Sequence, residues 1–275
     1  MMDAHFHCWQ LNRGDYGWLT PELKAIYRDV RIQDWWQHAR AHGVTAGLLV
    51  QAAPTEAETE FLLSQAQAHS QVLGVVGWVD WLASDVDQRI ARLAAHPKLV
   101  GLRPMLQDLP EPHWIAQDAL HPALAAMAQQ GLVFDALVRT EHLPHLDRMM
   151  RAHPDLKVVV DHGAKPSPSQ DLAEWAAALR HLAQSHGPHR LVCKVSGLWT
   201  ELSDPQDTRR LQHWWETLFD IWGAQRLLWG SDWPVLELAS DFDQWRRFSL
   251  ERLALLSPAQ RDAVLEGNAK RFYGL

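Results

Sequence analysis

Apolar residues recur along the chain in two alternating rhythms: short runs rich in Val, Ile and Leu, and longer stretches with helical spacing. The first run, Met2-Asp3-Ala4-His5-Phe6-His7, reads as a strand. Successive side chains then face opposite sides, so His5 and His7 share one face, with Asp3 deeper on it. A long irregular segment from Trp9 to Arg31 follows, containing Gly14, Gly17 and Pro21, and loops of this length are often functional. From there the pattern is regular. Ile32 to His42 reads as a helix stopped by Gly43, Val44 to Gln51 as a strand, and Thr55 to His69 as a helix opened by the capping box Thr55-x-x-Glu58. Further strands are predicted at Val72 to Asp80, Leu99 to Pro104, Leu132 to Val138, Lys157 to His162, Arg190 to Ser196 and Arg226 to Gly230. Helices fill the intervals at Ser84 to His96, Asp118 to Gln130, Glu141 to His153, Gln170 to His186, Asp207 to Trp222 and Asp241 to Leu256. Ser257-Pro258 opens a last helix toward Phe272.

Eight strands alternating with helices at this spacing argue for parallel βαβ units, and in 275 residues for one closed (β/α)8 TIM barrel with an extra C-terminal helix. The competitor is a doubly wound open sheet, but no Gly-x-Gly-x-x-Gly follows any early strand. No linker, repeat or low-complexity stretch divides the chain, so residues 1–275 are expected to form a single domain.

Composition narrows the function classes. An apolar fraction of 47% is ample for a large core, and no run is long enough to span a membrane. The chain enters its first strand without a basic-then-apolar leader, which predicts a cytoplasmic protein. Acids outnumber bases 33 to 26 with no basic tract, which argues against nucleic acid as a partner and leaves a small molecule. The two cysteines, Cys8 and Cys193, fall out of phase with the polar strand faces and are expected to be buried thiols rather than ligands or a disulfide. Trp35-Trp36 and Trp214-Trp215, among 15 tryptophans, lie in helical patterns and read as packing residues.

A barrel of this kind carries its active site at the C-terminal strand ends. Those ends offer His5 and His7, Gln51, Trp78 and Asp80, Arg103, Asp135, His162, Lys194 with Ser196, and Asp232. A structural ring of salt bridges, such as Asp135 with Lys194, accounts for some of them, but three histidines and an aspartate point to chemistry. His5 and His7, a strand-repeat apart, could together hold a metal or polarise a carbonyl. Arg103 could form a structural ion pair with Asp80 or Asp135. Lys194 either contacts substrate or neutralises Asp135 or Asp232. Tyr16-Gly17-Trp18 either walls a pocket or closes the barrel mouth. Asp161, next to His162, is expected to face the helix layer as a structural residue, and His38, His69 and His181 to lie at the surface.

Several stretches in order resemble the amidohydrolase superfamily, and within it the lactonase branch. They are Asp3-Ala-His-Phe-His-Cys-Trp9, Tyr16-Gly-Trp-Leu-Thr-Pro21, Val76-Val-Gly-Trp-Val-Asp80, His96-Pro-Lys-Leu-Val-Gly-Leu-Arg103, Asp161-His-Gly-Ala-Lys-Pro166, Cys193-Lys-Val-Ser-Gly197, Gly230-Ser-Asp-Trp-Pro234 and Gly267-Asn-Ala-Lys-Arg-Phe-Tyr273. The resemblance implies hydrolysis of a sugar-acid 1,4- or 1,5-lactone by a monomer or small homo-oligomer. Asp232 would activate water while His5, His7 and His162 polarise the carbonyl, with or without a metal. Arg103, Trp18, Trp78, Asp135 and Lys194 are the candidate substrate contacts. Binuclear relatives carry a bridging lysine where this chain has Arg103 and a strand-five histidine where it has Asp135. The resemblance therefore implies one divalent ion, zinc, held by His5, His7 and Asp232 with or without His162, or none, rather than a pair. The alternatives within the superfamily are a decarboxylase and a hydrolase of an aromatic-degradation lactone. From another class comes a non-catalytic sugar-binding barrel, which has no need of a carboxylate facing His5 and His7.

Overall fold

The computed structural model describes residues Met1 to Leu275. Eight parallel strands lie side by side in chain order: β1 (Met2–Phe6), β2 (Ala46–Val50), β3 (Val72–Gly77), β4 (Leu99–Leu102), β5 (Val133–Ala136), β6 (Lys157–Val160), β7 (Leu191–Val195) and β8 (Leu227–Trp229). The sheet closes just past β8. Phe6 and Trp233 form a parallel bridge, the Asp232 N–H donates to the His5 carbonyl at 2.8 Å, and the His7 N–H donates to the Trp233 carbonyl at 2.8 Å. The helices are α1 (Ile32–Ala41), α2 (Glu56–Ala68), α3 (Val86–Ala94), α4 (His121–Gln129), α5 (Leu143–Ala152), α6 (Leu172–Ser185), α7 (Thr208–Trp222) and α8 (Phe242–Leu253). They wrap the strands, giving the (β/α)8 barrel that the alternation predicts. None is long and apolar enough to cross a membrane.

Alternate strand positions such as Met2, Ala4, Leu48, Val133, Val159 and Leu228 fill the interior of the barrel. The intervening positions pack outward against the helices in a core of 71 residues, which takes up most of the tryptophans. Phe6 stacks on Trp35 at 3.9 Å, and Trp214 and Trp215 are buried on α7 as packing residues. Cys8 and Cys193 are free and buried in this outer layer. The strands are shorter than the apolar runs suggest, because the runs continue into loops that are themselves buried at the barrel mouth.

The predicted last helix is three pieces: α9 (Pro258–Asp262), one π turn (Ala263–Gly267) and α10 (Asn268–Tyr273). Asn268 donates to the carbonyls of Ala224 and Leu227 at 2.7 and 2.8 Å, which ties α10 to the start of β8. Phe272 and Tyr273 then join the interior cluster and plug the barrel from below.

The segment from Trp9 to Arg31 is ordered. Trp9 and Val30 exchange backbone hydrogen bonds at 2.9 Å, Trp9 Nε1 donates to the Arg28 carbonyl at 2.8 Å, and Trp18 Nε1 donates to the Ala52 carbonyl at 2.7 Å. Ala52 is held in turn by Glu58, whose Oε1 accepts the Ala52 N–H at 2.9 Å while Oε2 is buried without a partner. Burial pushes the Glu58 carboxyl from 4.5 up to about 8, outweighing the Ala52 hydrogen bond. The folded chain thus keeps a proton that the unfolded chain releases, so this group costs stability as pH rises from 4.5 to about 8. Glu58→Gln keeps the acceptor and removes the titration. Its stability relative to wild type, read from urea denaturation, is expected to grow across that window by on the order of several kcal/mol. A difference that does not change with pH would show that Glu58 is ionised throughout.

Candidate active site

The site is assembled by two departures from regular strand geometry. On β1 the pairing with β2 runs Asp3 to Gly47 and Phe6 to Leu49, so β1 carries one extra residue, a β-bulge. Asp3 therefore does not share a face with His5 and His7. It points outward, accepting from the Ser231 N–H at 2.8 Å, the Ser231 hydroxyl at 2.6 Å and Trp35 Nε1 at 2.9 Å. These bonds brace β1 against the chain after β8. The bulge turns His5 into the barrel beside His7, with their Nε2 atoms 3.2 Å apart.

The second departure is left-handed backbone at two of the four central residues, His162 (φ 52°) and Asp232 (φ 58°). Such conformations cost about 1–3 kcal/mol each in non-glycine residues and persist where the surroundings enforce them. Gly197 is part of that enforcement: at φ 62°, a Cβ there would lie 2.6 Å from His162 Nδ1 and 3.0 Å from Asp232 Oδ2. Only glycine lets the β7 loop approach this closely. Asp232 Oδ1 ends 3.3 Å from His7 Nε2, 3.6 Å from His5 Nε2 and 3.8 Å from His162 Nε2. His162 Nδ1 shares a 2.9 Å hydrogen bond with the Ser196 hydroxyl.

Beneath this ring lies a buried ionic layer. Alternation from Val159 carries Asp161 inward, contrary to its expected place in the helix layer, and the left-handed turn then brings His162 inward as well. Lys194 Nζ contacts Asp135 Oδ2 at 2.5 Å, Asp161 Oδ1 at 3.0 Å and His5 Nδ1 at 3.3 Å. The Tyr273 hydroxyl donates to Asp135 at 2.8 Å, linking α10 to this layer. Arg103 pairs with Asp161 at 3.3 Å and donates to the Gln51 carbonyl, so neither Asp80 nor Asp135 is its partner. Gln51 itself donates to the Arg103 carbonyl at 2.8 Å, joining β2 to β4.

Above the ring opens a cavity of about 260 Å³ lined by His7, Arg103, His162 and Asp232 at its base, with Trp18, Leu23, Met105 and Leu137 among its walls. Of the expected substrate contacts, Arg103 and Trp18 line it. Asp135 and Lys194 lie fully buried beneath, and Trp78 lies off the cavity, its backbone N–H and carbonyl both bonded to Thr59 Oγ1 at 2.7 Å. Asp80 is exposed. Among the wall residues that escaped the sequence reading, three carry charged or amide side chains. They are Gln107, Lys165 and Glu201, carried by loops after β4, β6 and β7. Lys165 stands in one of the motifs quoted above, whereas Gln107 and Glu201 carry no local signature.

Burial and the Lys194 cation hold the His5 imidazole well below its ordinary value, the nearby Asp161 notwithstanding, and burial lowers His162 against the pull of Asp232 and Asp161. Burial alone would raise the Asp232 carboxyl, but His162, the His7 hydrogen bond and His5 together pull it well below the carboxylate range. Asp232 is thus ionised beside neutral His5 and His162. His7 Nδ1 donates to the Val50 carbonyl at 2.8 Å, which in the neutral ring leaves Nε2 a bare lone pair facing Asp232 Oδ1. Two acceptors at that separation require a cation or a proton between them. The convergent His5, His7 and Asp232 donors fit one divalent ion. A proton on His5 Nε2, left there when Lys194 donates to Nδ1, also fills the gap.

A family model described as Amidohydrolase matches residues 2–275. The chain belongs to that family. Among curated amidohydrolase relatives, the L-fucono-1,5-lactonase of Burkholderia ambifaria is 42% identical over 279 residues, covering 99% of this chain and 94% of its own. The L-fucono-1,5-lactonase of Burkholderia multivorans is 34% identical, covering 100% and 96%. Among solved structures, an amidohydrolase from Burkholderia multivorans with bound zinc superposes with a TM-score of 0.93 at 32% identity, covering 100% of this chain and 99% of that one.

Proposed function

We propose that the chain hydrolyses a sugar-acid 1,4- or 1,5-lactone to the open hydroxy acid. The observation that carries this reading is an ionised Asp232 at the base of a cavity, ringed by three imidazoles and flanked by Arg103. A lactone seated with its carbonyl oxygen toward Arg103 and the histidines presents its carbonyl carbon to a water held by Asp232. Asp232 takes one proton as the water oxygen bonds to that carbon, and the negative charge passes to the carbonyl oxygen. Collapse of the tetrahedral intermediate breaks the bond to the ring oxygen, which takes the proton back from Asp232 and leaves as the hydroxyl. A carboxylate held this acidic is a weak base, so much of the barrier must be lowered by polarising the carbonyl. Arg103 is fixed for that task by Asp161 and Gln51.

His5, His7 and Asp232 would hold the metal, zinc by analogy with the Burkholderia multivorans structure, and when bound it supplies Lewis-acid polarisation of the carbonyl. The rest of the machinery belongs to the chain itself: Val50 orients His7, Ser196 orients His162, and Lys194 donates to His5 Nδ1 when no ion is bound, whereas an ion on His5 Nε2 requires the proton on Nδ1, which faces Asp161 Oδ1 at 3.5 Å. The test is a panel of aldonolactones followed with a pH indicator, run with elemental analysis of the purified protein and repeated after chelation. Acid release from at least one sugar lactone, well above its spontaneous opening, is expected. No acceleration across the panel would overturn the reading. Activity that survives complete removal of metal would assign polarisation to Arg103 and the histidines alone.

A further inference from the structure

The charges facing the cavity are already matched. The Arg103 guanidinium is engaged by Asp161 at 3.3 Å and by the Gln51 carbonyl. Higher on the wall, Lys165 Nζ lies 2.7 Å from Glu201 Oε1, and Arg139 approaches Glu201 Oε2 at 3.9 Å from outside the cavity. An entering ligand that carries its own carboxylate finds no unpaired cationic side chain on the wall. On this wall it must break one of these pairs or sit against Glu201. A hydroxyl has no such difficulty, since it donates to Glu201 while accepting from Lys165. Gln107 lines the same cavity and brings a side-chain amide within reach of a second hydroxyl. Trp18 and Leu23 supply apolar wall for the C–H surfaces of a sugar ring.

We infer that Glu201 is a specificity-determining residue: by neutralising Lys165 it makes the cavity select uncharged polyhydroxy lactones and refuse those bearing a carboxylate. This rests on the lactonase reading and extends it to the substrate class. Discrimination of this sort works by withholding a partner from the wrong ligand as much as by contacting the right one. The pair also straps the β6 loop to the β7 loop. A strap alone would affect all substrates in proportion, so the ratio between substrates separates the two roles.

The experiment compares an aldonolactone with the aldarolactone that differs only by oxidation of its terminal carbon to a carboxylate. Wild type, Glu201→Gln and Lys165→Met are assayed for kcat and KM, and the corresponding non-hydrolysable lactams are titrated by calorimetry. Wild type is expected to favour the neutral member by about tenfold or more, the scale of one unmatched charge. Glu201→Gln frees Lys165 and Arg139, so the preference should move toward the anionic member by at least about tenfold, chiefly in KM and lactam affinity. Lys165→Met should weaken the neutral ligand without improving the anionic one. Equal treatment of both ligands by wild type, or a Glu201→Gln loss that leaves the ratio unchanged, would overturn the inference. If wild type opens no lactone, the activity reading fails by itself while the lactam affinities still decide the role of Glu201.

Discussion

Asp232→Asn is expected to lower kcat for lactone opening by about a thousandfold or more, the effect of removing a positioned general base and acid. The substitution is nearly isosteric and its backbone demand is mild. Asp232 sits at φ 58°, and asparagine is among the residues that tolerate left-handed backbone best. The amide also retains a carbonyl oxygen where Oδ1 now stands among His5, His7 and His162. The fold should therefore survive, with far-UV circular dichroism and the thermal midpoint close to wild type. What is lost is the capacity to hold a proton between the attack of water and the departure of the ring oxygen. KM should change far less than kcat, because hydroxyl contacts on the upper wall are untouched. A correctly folded variant with wild-type turnover would remove Asp232 from the proton path and leave the histidines to supply the base.

The barrel was legible from the chain because its two periodicities alternate cleanly. Asp135 and Lys194 were placed at inward strand positions, and Cys193 outward, by simple counting along β5 and β7. Counting failed at two places for physical reasons. The single extra residue in β1 reverses the phase of everything before it, so Asp3 braces Ser231 and Trp35 instead of joining the histidines. At the end of β6, left-handed backbone in a non-glycine residue lets Asp161 and His162 both face inward, and no residue type in Asp161-His-Gly-Ala-Lys-Pro166 announces it. The wall residues Gln107, Lys165 and Glu201 were out of reach because they meet only when separate loops fold over one cavity. The helical placing of the tryptophans read correctly as packing. Of 15 tryptophans, Trp18 alone lines the cavity, and helix packing takes up most of the rest. The closing motif proved structural, with Asn268 tying α10 to β8 and Tyr273 reaching Asp135.

That buried layer carries the second large effect. Lys194 is fully buried, and its ammonium is the shared cation of Asp135 and Asp161, both fully buried themselves. Burial by itself would lower the lysine, but the two carboxylates hold it above its ordinary value, so it stays charged through the physiological range. Lys194→Met fills similar volume and removes the charge, leaving two carboxylates facing one another in the barrel interior. Breaking a buried pair in this way costs about 3–5 kcal/mol, a large share of the roughly 5–15 kcal/mol that stabilises a folded domain. The cost depends on pH. Burial already pushes Asp135 up to about 6 even with Lys194 beside it. Without the cation it rises further, and a raised carboxyl favours the folded state only while protonated. Urea denaturation of Lys194→Met should therefore show a smaller loss at pH 5 than at pH 8. Adding Asp135→Asn should recover part of it, since Tyr273 can still donate to the amide oxygen and Asp161 keeps Arg103. Turnover should fall as well, because His5 Nδ1 loses the donor that orients its ring. A variant as stable as wild type at pH 8 would mean that water or a neighbouring side chain screens the two carboxylates, and that Lys194 is not what holds this layer together.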